Sequence, residues 1–466
     1  MNVQEVTQLV PIAVGAGLAL IALWAVWNIV RYARADKETR RSIWQAVRIR
    51  AGWRRLARMA GLSVTDRTPT LLASLTASDG AEPKPRELVP SIATTADRFG
   101  VIIRVKLLPK VGIDEFQAKA RFLAAAWSCV RVSVQPDRPG YAVLRAVRSD
   151  PLITPTNFEP SGRSPEDLTV WPVGVDEYAE PVSIGVKDTS GATVAGRAGG
   201  GKSVLLNGLI ARFAPSPAVQ FAVADGKVSH ASEGDYADVI PRLFAHVGDD
   251  LEEANALFTR LVKLRRDRSS MIRRVLRVVN MWRIGPSRTW PLVIVVIDEA
   301  HTYFRDHKGS DAKTKKLAAL AAENARLVED LVKKGRSVGI FTVLATQKAT
   351  GDAIPTFIRD VCGAALSFAQ RTTEASVAAL GEDIRKWPDA DPVGLQGAEY
   401  VGVASMSVDG REGFTRVRTP WVDEVSVASV ADTTQHLTRD PISLLAQLTS
   451  SSLHKLPDIR DEDDAA

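Results

Sequence analysis

A chain of 466 residues that is 45% hydrophobic and 24% charged is too long and too apolar for a disordered tail, and it can bury cores for about two or three domains. Its two cysteines, Cys129 and Cys362, fit no metal-ligand spacing and read as inert core thiols of a reducing compartment. The formal charge of +6 does not by itself argue for nucleic-acid binding, because the basic excess is concentrated in one stretch near the N-terminus.

Residues 9–30 contain no charged side chain and, at about 1.5 Å per helical residue, can cross a bilayer core. Trp24 and Trp27 suit an interface belt. A signal peptide would want basic residues before a shorter apolar core and a small-residue cleavage site, and none is evident. Next come Arg31, Arg34, Lys37, Arg40, Arg41, Arg48, Arg50, Arg54, Arg55 and Arg58 against Asp36 and Glu38. The positive-inside rule then predicts a single-pass protein of the cell membrane with its bulk in the cytoplasm. Residues 31–66 read as a basic juxtamembrane helix with a rough apolar face of Ile43, Trp44, Val47, Ile49, Trp53, Leu56 and Met59. Such a stretch suits anionic lipid headgroups, with DNA phosphates as the alternative.

Residues 67–90 are a Pro-, Ser- and Thr-rich linker. Residues 91–150 predict a small β-α-β-β module: a strand over 101–108, a helix over 113–127, and two alternating strands around Pro136-Asp137-Arg138-Pro139-Gly140. Residues 151–181 read as a loop inside a motor domain assigned to 151–430.

Gly196, Arg197, Ala198, Gly199, Gly200, Gly201, Lys202 and Ser203 fit the pattern G-x-x-x-x-G-K-[ST] at every fixed position. Glycines let the backbone curl so that N–H groups face phosphate oxygens, Lys202 reaches the outer phosphates, and Ser203 can ligate Mg²⁺. A buried strand ends just before the loop at Ala195, and an apolar helix follows over 203–213, so Val204 joins the nucleotide contacts at the helix N-terminus. Residues 220–225 are a second strand leading into Gly226-Lys227. A long helix over 251–279 carries Arg260, Lys263, Arg265, Arg266, Arg268, Arg273, Arg274 and Arg277, which reads as a solvated face with a few phosphate contacts open to it.

The run Leu292-Val293-Ile294-Val295-Val296-Ile297 delivers Asp298 and Glu299 to the end of a central parallel strand. Asp298 would hold Mg²⁺ through water, and Glu299 would polarise the attacking water as general base. His301 is assigned no role. A basic loop over 303–316 follows, then a helix over 317–334 and a buried strand ending at Gln347, whose amide can donate to a phosphate and accept from water. A further strand at 364–368 leads to Arg371, and two strands flank Asp409-Gly410 as a hairpin. Order fades after Val430, and residues 431–466 read as a partly disordered tail. The fold class is therefore α/β, a RecA-like P-loop motor on a doubly wound parallel sheet, preceded by the small module and the transmembrane helix. ATP and Mg²⁺ are the expected cofactors, and ATP hydrolysis the expected reaction.

Asp298-Glu299, Arg336-Ser337-Val338-Gly339-Ile340 and Val343-Leu344-Ala345-Thr346-Gln347 resemble the corresponding block of the FtsK/SpoIIIE family of DNA-pumping motors, and Asp225-Gly226-Lys227 is similar to a further motif of that family. The "VRVSV" module, "FAQRTTEA" around Arg371 and "VRTPWVDE" at 417–424 resemble the actinobacterial conjugative subgroup of the TraB/TraSA type. The resemblance implies a homo-oligomeric ring, a hexamer, around double-stranded DNA, with an arginine acting in trans. Arg371 is the preferred finger and Arg336 the alternative; Ala365 stands where the family carries an arginine. Too few residues follow Val430 for the family's winged helix, which leaves sequence recognition to a separate DNA-binding partner. The rival readings are a type IV coupling protein moving single-stranded DNA, a type VII-like protein-secretion ATPase, and a non-enzymatic scaffold. The intact Lys202, Ser203, Asp298 and Glu299 oppose the last.

Overall fold

The computed structural model describes residues 30, 32–66, 86–230, 232–347, 353–408 and 410–453. Residues 9–29 of the expected membrane span, 67–85 of the expected linker, Asp409 of the expected hairpin turn and 454–466 of the expected tail lie outside the described residues. Among the described residues no helix is long and apolar enough to cross a membrane. The chain forms two compact units, Met1–Pro151 and Leu152–Ala466.

In the first unit, Asp36 accepts from the Thr39 N–H and starts a helix spanning Lys37–Met59. Strands β1 (Val64–Asp66) and β2 (Arg86–Leu88) pair with each other, while β3 (Ile92–Ala96), β4 (Gly100–Lys106), β5 (Arg131–Pro136) and β6 (Tyr141–Val147) form an antiparallel sheet in the order β3-β4-β6-β5. The module thus gains the strand β3, which the sequence reading omits. Its single expected helix is two short ones, Ile113–Ala118 and Ala120–Ala126, divided at Lys119.

The basic helix is part of this unit's core. Ala46, Ile49, Trp53 and Ala57, spaced at three and four residues, share one buried cluster with Val101, Ile103 and Leu144 of the sheet. Trp53 stacks on Phe116 with ring centroids 6.3 Å apart, and its Nε1 donates to the Pro90 carbonyl at 2.6 Å. Each such large apolar side chain contributes about 1.5–3 kcal/mol on burial. The apolar residues expected to share one face therefore divide: Ile49 and Trp53 are buried, whereas Trp44, Val47 and Met59 are exposed beside the arginines.

The second unit is built on one ten-stranded sheet. Its strands are β7 (Val170–Asp176), β8 (Pro181–Gly185), β9 (Gly191–Ala195), β10 (Val219–Asp225), β11 (Leu243–Val247), β12 (Leu292–Asp298), β13 (Ile340–Thr346), β14 (Ala364–Ser367), β15 (Val403–Ser407) and β16 (Phe414–Arg418). They lie in the order β11-β10-β12-β13-β9-β14-β15-β16-β7-β8. From β11 to β14 every pairing is parallel, and from β14 to β8 every pairing is antiparallel. The expected doubly wound parallel sheet corresponds to β11 through β14; the expected hairpin, β15 and β16, joins the same sheet, which is therefore mixed. Short hairpin connections join β15 to β16 and β7 to β8, and such links can only make antiparallel neighbours.

The reading of 151–181 as loop is corrected by β7. Pro172 and Gly174 obscured it, and a register irregularity lies between them. The central strands β9, β10, β12 and β13 are buried throughout, because helices cover both faces.

The long arginine-rich helix is Leu251–Leu276, and its basic residues are not one solvated face. Arg265 pairs with Asp330 at 2.6 Å. Arg268 is fully buried over the Trp290 ring and donates to the Val338 carbonyl at 3.0 Å. Arg260 pairs with Asp440, while Lys263, Arg266, Arg273, Arg274 and Arg277 are exposed. Order also continues past Val430: helices span Glu424–Thr434 and Pro441–Leu453, Leu445 is buried, and Gln220 donates to the Leu437 carbonyl at 2.9 Å. Burial pushes the Cys129 thiol up to about 11 and the Cys362 thiol to about 12, so neither is a reactive thiolate.

Candidate nucleotide site

The parallel strands β9, β10, β12, β13 and β14 end at one edge of the sheet, and the residues of the expected nucleotide site lie at or just past those ends. From β9 the chain turns through residues 196–201 into the helix Lys202–Phe213. Gly196 has φ 148°, and a Cβ on it would lie 2.6 Å from the Phe368 Cβ, so only glycine fits between the loop and the end of β14. Gly201, at φ 113°, caps the helix, whose first N–H groups face the loop. The loop is held from outside by backbone bonds from Arg197 N to the Ala369 carbonyl at 3.1 Å and from Gly402 N to the Gly200 carbonyl at 3.1 Å.

Lys202 is buried, and its Nζ donates to the carbonyls of Gly196 at 2.5 Å and Arg197 at 3.1 Å. Burial pulls its ammonium down to about 8, although Asp298 and Glu299 act in the opposite direction. Ser203 Oγ donates to Asp235 Oδ2 at 2.5 Å.

Asp298 ends β12 fully buried. Its Oδ1 accepts the Glu299 N–H at 2.7 Å, and its Oδ2 accepts from Lys227 Nζ at 2.7 Å and the Tyr236 hydroxyl at 3.1 Å. Burial, with Asp298 and Asp225 nearby, raises the Tyr236 phenol well above its ordinary value, so it stays a neutral donor. Burial lowers the Lys227 ammonium, but Asp298 and Asp235 outweigh that and hold it above the usual lysine value. Glu299 adopts φ 48°, a left-handed conformation that costs a non-glycine residue about 1–3 kcal/mol. That bend turns the chain away from β12. Glu299 Oε1 lies 2.7 Å from His301 Nδ1 and accepts the Gln347 N–H at 3.3 Å, whereas its Oε2 is buried with no hydrogen-bond partner among the described residues. A buried carboxylate oxygen held without a protein partner suits a residue that polarises a water.

Lys202, Ser203, Lys227, Asp235 and Gln347 border a cavity of about 850 Å³, a size that admits a nucleotide; Asp298 and Glu299 are buried beside these residues and do not line it. One wall is Ala198, Gly199, Gly201, Lys202, Ser203 and Val204, with Lys227, Asp235 and Gln347 beside it. The opposite wall, which the sequence reading did not assign, is Thr156, Asn157, Arg418, Thr419, Pro420, Trp421 and Val422. Backbone bonds between Thr156, Phe158 and Trp421 join two distant segments into that wall. Arg418 fixes it by donating to the carbonyls of Val401, Glu399 and Leu152.

The oxygen donors Ser203 and Asp298 fit a hard cation such as Mg²⁺, and Asp235 lies against Ser203. Among the described residues no three His, Cys, Asp or Glu side chains form a metal group of their own. The missed contributors are Lys227, Asp235 and Tyr236. Asp225-Gly226-Lys227 was visible as a motif, but nothing in spacing alone could place Asp235 opposite Ser203.

Arg371 is exposed and does not line this cavity, although Ala369 of the same segment bonds the P-loop. Arg336 lies just before β13, at the opposite edge of the sheet, and donates to the Asp188 carbonyl at 3.1 Å.

Residues 165–281 match the FtsK/SpoIIIE family model. The chain carries an FtsK/SpoIIIE-family domain. It is 24% identical over 334 residues to a DNA translocase FtsK of Streptococcus pyogenes, covering 64% of this chain and 39% of the relative. It is 27% identical over 311 residues to a DNA translocase FtsK of Leptospira interrogans, covering 60% of this chain and 30% of the relative. The chain thus spans well under half the length of these curated relatives. Among solved structures, the pCW3 conjugation coupling protein TcpA with ATPγS is similar at 16% identity and TM-score 0.48, over 77% of this chain and 94% of that one. The cytoplasmic domain of the Thermomonospora curvata type VII secretion ATPase EccC is similar at 19% identity and TM-score 0.43, over 63% of this chain and 34% of that one.

Proposed function

We propose that this chain is an ATP-hydrolysing motor that moves double-stranded DNA, working as a membrane-anchored homo-oligomeric ring in conjugative transfer. The observation that carries the reading is the meeting of Lys202, Ser203, Asp298, Glu299 and Gln347 at one sheet edge, beside a nucleotide-sized cavity lined by Lys202, Ser203 and Gln347, in a chain with an FtsK/SpoIIIE domain. Bound Mg²⁺ and ATP supply a charge-compensated phosphoryl group open to in-line attack. Residues 196–201 and the helix N-terminus orient the phosphates, and Lys202 exchanges its loop carbonyls for phosphate oxygens. Glu299 takes the proton of the attacking water through Oε2, while Gln347 orients that water. Arg371, exposed on the P-loop side of the sheet, serves a neighbouring subunit's site.

DNA movement is supported by the family match, and conjugation by the motifs at 130–134, 368–375 and 417–424. The anchor rests on the uncharged run at 9–30 and the basic residues after it. Grip on DNA would be through phosphates, hence sequence-independent and salt-sensitive.

The test is the ATPase rate of the full chain in detergent with no DNA, double-stranded DNA or single-stranded DNA. Stimulation by double-stranded DNA of any sequence is expected. Preference for single strands would favour a coupling protein, and turnover indifferent to both would favour protein secretion. The full chain is required because residues 37–59 cover the sheet of the first unit.

A further inference from the structure

Three of the oxygens this site would offer a divalent cation face a single ammonium group. Lys227, two residues past the end of β10, places Nζ 2.7 Å from Asp298 Oδ2, 3.2 Å from Asp235 Oδ2 and 3.4 Å from Ser203 Oγ. Ser203 and Asp298 are the groups assigned above to the metal. Asp298 is fully buried, and an ionised carboxylate there needs a compensating charge. Asp235 is half-exposed and orients the Ser203 hydroxyl. A divalent cation drawn to these oxygens, directly or through water, competes with an ammonium already against them, since both are positive and answer the same negative charge.

We infer that Lys227 is a tethered stand-in for the divalent cation, neutralising Asp298 and Asp235 until metal and nucleotide arrive together and displace it. The inference rests on the nucleotide-hydrolysing reading of this site. It assigns Lys227 a positioning role: the subunit discriminates against metal alone, because metal without phosphates brings no negative charge to compensate the displaced ammonium. A metal–nucleotide pair brings that charge. The competing account is a permanent ion pair that merely ties the loop after β10 to β12.

The experiment titrates Mn²⁺ into the nucleotide-free full chain by electron paramagnetic resonance. Lys227→Met, which keeps the length and removes the charge, should bind Mn²⁺ about tenfold or more tightly than wild type, and Lys227→Arg should stay near wild type. An unchanged or weakened Mn²⁺ affinity in a folded Lys227→Met chain overturns the inference. Should that variant not fold, amine acetylation of the wild-type chain read by mass spectrometry decides: Lys227 should label faster with Mn²⁺ and ADP together than with neither, and equal labelling overturns it. A fluorescent ADP titration of wild type with Mg²⁺ separates the two levels. Binding there with no effect of Lys227→Met sinks the stand-in alone; absence of binding sinks the nucleotide reading beneath it.

Discussion

The Gln347 backbone N–H donates to Glu299 Oε1 across 3.3 Å, which ties together the ends of the adjacent parallel strands β12 and β13. Oε2 has no hydrogen-bond partner among the described residues and is buried. Glu299→Gln keeps the shape and the acceptor toward Gln347 but removes the base. Hydrolysis should fall by at least about 100-fold while nucleotide binding is retained. Single-turnover phosphate release beside a fluorescent ATP titration reads both. A loss under about tenfold would mean that the water is polarised elsewhere.

Lys202 carries a pH signature. Burial holds its ammonium at about 8 while it donates to the carbonyls of Gly196 and Arg197. Phosphate oxygens would stabilise the charged form and raise that value. The bound form then holds more protons than the free form above pH 8, so binding takes up a proton. Affinity should be full below pH 8 and fall as the pH rises through it. Calorimetric titration of ADP at pH 7 and pH 9, in buffers of different ionisation enthalpy, should show uptake at the higher pH, and Lys202→Met should abolish it.

The sequence made some of this site legible and hid the rest for identifiable reasons. Gly196 to Ser203 and Asp298-Glu299 were readable because each is a contiguous run whose spacing is fixed by the chemistry. Strands β9, β10, β12 and β13 were readable because double-sided burial demands unbroken apolar runs. Asp235 and Tyr236 were not, since they reach Ser203 and Asp298 from a polar loop with no periodicity. Nor was Arg418, which belongs to the site only because β16 carries it back past the P-loop to the carbonyls of Val401 and Glu399. Likewise Arg268, one charge among many on its helix, is buried by tertiary contacts with Trp290 and Val338 that no local pattern encodes.

Asp225 predicts a stability difference. It is fully buried, its Oδ2 has no hydrogen-bond partner among the described residues, and burial, then Asp298, pushes its carboxyl up to about 6 against the outweighed N–H of Lys227. A folded value above the unfolded one means that the carboxyl favours folding below the unfolded value, near pH 4, and that this contribution is lost as the pH rises through 6. Asp225→Asn keeps an acceptor for the Lys227 N–H and removes the buried charge. The variant should melt roughly 2–4 °C above wild type at pH 8, and the gap should close toward pH 5. Thermal unfolding across that range checks it, and a variant less stable at pH 8 would mean that Lys227 depends on the Asp225 charge.

Arg371 provides the test of the ring. It follows β14, beside the strand that leads into the P-loop, yet it is exposed and outside its own subunit's cavity. If it completes a neighbour's site, Arg371→Ala and Glu299→Gln should each be inactive alone by about 100-fold or more. Mixed together they should recover measurable activity. In a mixed ring some intact Glu299 sites, carried by Arg371→Ala subunits, face an intact Arg371 from a Glu299→Gln neighbour. Recovery should rise and then fall with the mixing ratio, and it should vanish at dilutions where the subunits separate. A chain acting alone, or an arginine acting within its own subunit, gives no recovery at any ratio. Repeating the mixture with Arg336→Ala distinguishes the two arginines: Arg336 lies at the far edge of the sheet and binds the Asp188 carbonyl, so its removal should lower stability and leave the mixing behaviour of Arg371 intact.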